Sequence, residues 1–153
     1  MIKKITRITI DPGLSSGYAI WDTKWKLLDY GLCLPDEKEI WEVKAYEVAA
    51  KLKEVAVKWR CTEGYIEYPA FFEIHGASGI ANSGALVKLA FFVGLVCGTM
   101  PFLVQRVEVR VWKGNLPKEV VIRRILRIFP DIKAKKDMWD SIGIGLYLKG
   151  DLK

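Results

Sequence analysis

Three segments of alternating apolar residues stand almost end to end at the start of the chain, at residues 5–11, 17–22 and 26–34, parted by nothing longer than a turn. Neighbours this close pair antiparallel, because a parallel partner needs a crossover of about a dozen residues. The chain therefore begins as a three-strand meander. Beyond it the rhythm changes. Within residues 35–60 apolar side chains recur at Trp41, Ala45, Val48, Leu52, Val55 and Trp59, the spacing of an amphipathic helix laid on a sheet. "GYIEYP", residues 64–69, is a short strand stopped by Pro69. A Gly- and Ser-rich loop leads into a helix over 78–98, apolar nearly all round and so expected to be buried, and then into the strand "FLVQRV" at 102–107. A helix over 116–129, with Pro117 near its start, sets Val121, Ile125, Leu126 and Phe129 against a basic face, and "DMWDSIGIGLYLKG" closes the chain as a last helix. The order βββαβαβαα describes a mixed central sheet flanked by helices, an α/β fold, and 153 residues suit one domain over 1–153.

Charge narrows the partner. The net charge of +6 favours a polyanion, and its distribution says more than its total. Residues 103–136 hold ten lysines and arginines against three acids, so this segment carries the whole positive excess. Cys33, Cys61 and Cys97 lie far apart with no CxxC pair, so neither a disulfide framework nor a zinc site is indicated, and a reduced compartment fits best. "MIKKITRI" lacks a signal-peptide core, and the apolar run "LVKLAFFVGLVCGTMPFLV" is broken by Lys88 and Pro101, short of the about 20 residues of a membrane span. A cytoplasmic protein without a membrane segment is expected. Asn82, Asn115 and Gln105 are the only side-chain amides, a scarcity that leans towards a thermophilic source.

The acids carry the chemistry. Asp11 ends the first strand and is succeeded at once by Pro12 and Gly13, which is turn chemistry on one reading and a carboxylate displayed at a stiff strand end on the other. Glu67 lies among Tyr65, Ile66 and Tyr68, where a carboxylate is costly unless paired or metal-bound. Asp137 and Asp140 are three apart in the first turn of the last helix and share a face. On their own they also read as an N-cap and its capping-box partner. Together the four would balance two divalent cations, and hard oxygen ligands suit Mg²⁺ or Mn²⁺ rather than zinc. Two such ions about 4 Å apart support phosphodiester hydrolysis. Set in a basic chain, this chemistry reads as a nuclease.

The blocks "ITIDPGLSSGYAI", "YIEYPAF", "LPKEVV" and "DMWDSIGIGL" resemble, in order and spacing, those of the RuvC-type Holliday junction resolvases, and the likeness spans nearly the whole chain. It implies an RNase H-like fold, with Asp11, Glu67, Asp137 and Asp140 as catalytic metal-binding acids holding two Mg²⁺, with Mn²⁺ as a substitute. It further implies a homodimer that binds four-way junction DNA and nicks two opposed strands symmetrically; the compact form suggests a phage or divergent member. By the same likeness Lys118 falls where the family carries a basic residue near the scissile phosphate, and Lys113 is a second candidate; an ordinary solvated lysine at a helix start is the plainer account. The family's aromatic wedge after the second acid is displaced by Pro69, leaving Tyr68, Phe71 and Phe72, of which Phe71 is favoured.

Arg110, Lys113, Lys118 and Arg123 are the basic residues expected at the DNA, and Ser78 belongs to a small-residue run before the buried helix whose backbone N–H groups could meet phosphate. That run is equally a loop with an N-cap. His75 is the lone histidine, and the family's histidine position is Asp137 here. Leu89, Phe92, Val93 and Val96 would line a dimer seam under the resemblance and a monomer core otherwise. Three rivals stand beside the resolvase: another RNase H-like nuclease acting on branched DNA or RNA, an actin-like ATPase, for which the chain is too short, and a junction-binding protein without catalysis, against which the four acids speak.

Overall fold

A computed structural model describes residues 5–36, 38–68 and 77–152, with 77–83 as backbone alone. The elements are β1 (Thr6–Asp11), β2 (Ser16–Trp21), β3 (Leu27–Cys33), α1 (Trp41–Lys58), β4 (Cys61–Tyr68), α2 (Ala77–Thr99), β5 (Val104–Glu108), α3 (Val109–Trp112), α4 (Lys118–Ile128) and α5 (Met138–Lys149). They build one sheet in the order β3-β2-β1-β4-β5. The meander pairs antiparallel as its short turns require, and β4 and β5, each reached through a helix, run parallel to β1.

Strand alternation decides which helices go where. Ile8 and Ile10 of β1 and Ile66 of β4 pack with Val48 and Leu52 of α1 and Phe92 and Val96 of α2. On the other face Ala19 and Trp21 of β2 and Val107 of β5 pack with Val121 and Ile125 of α4 and with Ile142, Ile144 and Leu146 of α5. With each such side chain contributing about 1.5–3 kcal/mol on burial, the two clusters hold the helices firmly to the sheet.

The differences from the sequence reading have local causes. Helix α1 begins at Trp41, well after Pro35, and β4 begins at Cys61 because Arg60 takes a positive φ of 53° and turns the chain straight from helix to strand. Leu103 precedes β5 and is 81% exposed. Leu126 is exposed as well, one residue off the stripe that buries Val121 and Ile125. Most telling is α2, which is not buried all round: Phe92, Val93 and Val96 enter the monomer core, whereas Val87 is 66% and Phe91 45% exposed. One face suffices to cover the sheet, since α1 shares the task. Among the described residues no helix is long and apolar enough to cross a membrane.

Candidate active site

Parallel neighbours end on the same edge of a sheet. Ile10 of β1 pairs with Ile66 of β4, so the next residues, Asp11 and Glu67, stand at adjacent strand ends. Helix α5 is brought to the same edge by small residues and one buried hydrogen-bond chain. Gly17 faces Asp11 across β1–β2, and a Cβ there would collide with the backbone of Asp137. Gly145 admits the indole of Trp21, whose Nε1–H donates to Thr9 Oγ1 at 2.9 Å. The Thr9 hydroxyl in turn donates to the Ser141 carbonyl at 2.7 Å. The first turn of α5 is thereby pinned over the ends of β1 and β2.

Asp137 occupies the N-cap position, yet its backbone is helical, at φ −77° and ψ −8°, and its side chain makes no capping bond. Asp140, only 8% exposed, does not turn back to the helix backbone. Its Oδ1 lies 3.3 Å from Lys113 Nζ and its Oδ2 3.1 Å from Lys118 Nζ. The capping-box reading is thus not what these carboxylates do. Glu67 accepts a hydrogen bond at its Oε2 from the indole N–H of Trp112, at 3.0 Å.

Crowded carboxylates resist ionisation. Burial, then the charges of Glu67, Asp140 and Asp137, push Asp11 up to about 9, with Lys118 opposing. Glu67 is raised by burial and then by Asp140, against the pull of Trp112, Lys113 and Lys118. Lys118 loses by burial but gains more from Asp140, Asp137 and Asp11, and is held above the usual lysine value. Among the described residues no three acids gather into a group able to hold one ion, and Asp140 contacts the two lysines while Glu67 contacts the indole. The donor set nevertheless fits a hard divalent cation. It offers carboxylate oxygens alone, and a dication would relieve the repulsion that raises Asp11 and Glu67.

The raised Asp11 carboxyl also bears on stability. A carboxyl lifted from 3.8 to about 9 by folding stabilises below the unfolded value, and that contribution is lost as pH climbs through the interval. Without added metal, Asp11→Asn is therefore expected to raise the thermal midpoint at pH 8 by several degrees and to change it little at pH 4. Calorimetric melts at both pH values check this, and an equal effect at both would contradict the electrostatic account.

The structure thus brings Asp11, Glu67, Asp137, Asp140, Lys113 and Lys118 to one edge. Arg110 on α3 and Arg123 on α4 are exposed, while Arg124 turns away to the Leu152 carbonyl at 2.8 Å. Ser78 lies in the first turn of α2, and Phe71, Phe72 and His75 lie outside the described residues. Tyr68 is half-buried with the Arg106 guanidinium 4.8 Å from its ring centre. Trp112 escaped the sequence reading; its signal was a tryptophan directly before a candidate lysine, in "VWKGN".

Solved structures share the fold. A structure of T. thermophilus RuvC in complex with a Holliday junction substrate superposes with a TM-score of 0.67 at 15% identity, over 94% of this chain and 91% of that one. A second Thermus thermophilus RuvC structure gives a TM-score of 0.57 at 18% identity, over 94% and 92%. No protein-family model matches the chain, and no curated protein does. The chain has the RuvC fold, an RNase H-like α/β arrangement.

Proposed function

We propose that this chain is a structure-specific endonuclease that resolves four-way DNA junctions by paired symmetric nicks, acting as a homodimer with two divalent metal ions, Mg²⁺ or Mn²⁺, in each site. The observation that carries the reading is the convergence of Asp11, Glu67, Asp137 and Asp140 with two lysines at one sheet edge, in a fold shared with a RuvC solved in complex with a Holliday junction substrate. The four carboxylates would hold the cations, which when bound supply activation of water and stabilisation of the leaving oxygen. Lys118, more exposed than Lys113, would meet the charge that develops on the attacked phosphate. Lys113 keeps Asp140 in place from the inner side.

The homodimer draws support from α2. Gly84, Val87, Phe91, Gly94 and Gly98 recur at helical spacing along an exposed face, and nothing among the described residues stands within 4 Å of where a Cβ on any of these glycines would be. Such a face suits close approach of a second α2. Leu89, Phe92, Val93 and Val96 belong instead to the monomer core or its edge.

If the basic segment meets DNA, junction affinity should fall by about 10³-fold between about 50 and 200 mM salt, since each neutralised phosphate releases counterions. A flat salt response, measured by fluorescence anisotropy, would remove nucleic acid from the reading. Specificity is tested by offering an intact four-way junction, a flap and an RNA–DNA hybrid side by side with Mg²⁺. Preferred cleavage of the junction is expected; preferred cleavage of flap or hybrid would make the chain another kind of RNase H-like nuclease.

A further inference from the structure

Trp112 ends α3 and is 4% exposed, in a position that touches three parts of the site. Its indole N–H reaches Glu67 Oε2 at 3.0 Å. Its ring fills the space where a Cβ on Gly143 of α5 would stand. Lys113 Nζ, 3.3 Å from Asp140 Oδ1, lies 5.5 Å from the centre of the same ring. A buried indole N–H needs an acceptor, and many would serve. Here the acceptor is an acid of the proposed site, on a flexible side chain that would otherwise sample several rotamers.

We propose that Trp112 is a positioning residue acting through Glu67: the indole bond fixes the rotation of the carboxylate and leaves Oε1, which has no hydrogen bond among the described residues, for a divalent cation. The proposal rests on the nuclease reading. Because the ring also rests on α5 at Gly143, the orientation of Glu67 is tied to the helix that carries Asp140. Partners that orient a ligand in this way typically matter by about 10- to 100-fold in metal affinity or activity.

Trp112→Phe removes the N–H and keeps a ring against Gly143. In the full chain, Mn²⁺ binding by calorimetry is expected to weaken about 10-fold. Cleavage at limiting Mn²⁺ should fall in parallel and recover at saturating Mn²⁺, with the KM for junction unchanged. A tryptophan that only fills the core would lower the thermal midpoint and leave Mn²⁺ affinity alone, and that result overturns the proposal. A second measurement needs no variant. The Trp112 indole N–H resonance of the wild-type chain should shift saturably on Mg²⁺ addition, and a resonance that stays fixed while calorimetry records Mg²⁺ binding also overturns it. Wild type that binds neither ion and cuts nothing overturns the nuclease reading and this inference with it. Wild type that binds and cuts, beside an indistinguishable Trp112→Phe, overturns the inference alone.

Discussion

Asp11→Asn is expected to reduce junction cleavage to background while junction binding survives or tightens. The swap removes a ligand charge and almost no volume, and it relieves the repulsion from Glu67, Asp140 and Asp137 that burdens this site. Without metal the crowded, buried Asp11 carboxyl already holds its proton up to about 9, so a neutral amide there leaves the charge that DNA meets little changed. Glu67→Gln and Asp140→Asn should act alike on cleavage. Asp140→Asn has a further cost, because it leaves Lys113 and Lys118 without the carboxylate that both now contact. The check is single-turnover cleavage and anisotropy on the same labelled junction. Wild-type-like nicking by any two of the three variants would remove the metal-holding role from these acids.

The second large effect belongs to Lys118. A cation that meets charge only as the phosphate is attacked raises the rate, whereas a general phosphate contact raises affinity. Lys118→Ala is expected to lower the cleavage rate on saturated junction by about 10²-fold or more, the scale of losing one preorganised donor, with binding changed far less. Stability should hold, because the partly exposed Lys118 can be lost while Lys113 still contacts Asp140. Lys113→Ala should cost less rate. A variant that binds weakly but cuts normally once saturated would place Lys118 among the general DNA contacts.

The strands were legible in the sequence because alternation and turn length are local properties. Asp11, Glu67, Asp137 and Asp140 could be picked out as candidates because each lies at an element end, where a carboxylate is hard to explain by packing. Sequence alone could not choose between capping and display for Asp137 and Asp140, since both use the first turn of a helix. That choice depends on contacts from far along the chain, namely Gly17 against the Asp137 backbone and the two lysines on Asp140. The short helix α3 was hidden because "VEVRVW" is β-branched and alternating, a strand pattern, yet the chain coils there and buries Trp112 under α5. The exposed face of α2 was hidden as well, because an apolar helix gives no sign of which side meets the sheet and which stays exposed.

The central claim is that this site cuts four-way junctions in pairs with a divalent cation. A supercoiled plasmid extruding a cruciform tests it in one reaction, because two nicks made within a single encounter give linear DNA and uncoupled nicks give open circles. With Mg²⁺ the account predicts linear product appearing without an open-circle intermediate, with the cuts symmetric about the junction and absent when Mg²⁺ is chelated. Open circles alone, or cleavage that persists in chelator, would contradict it.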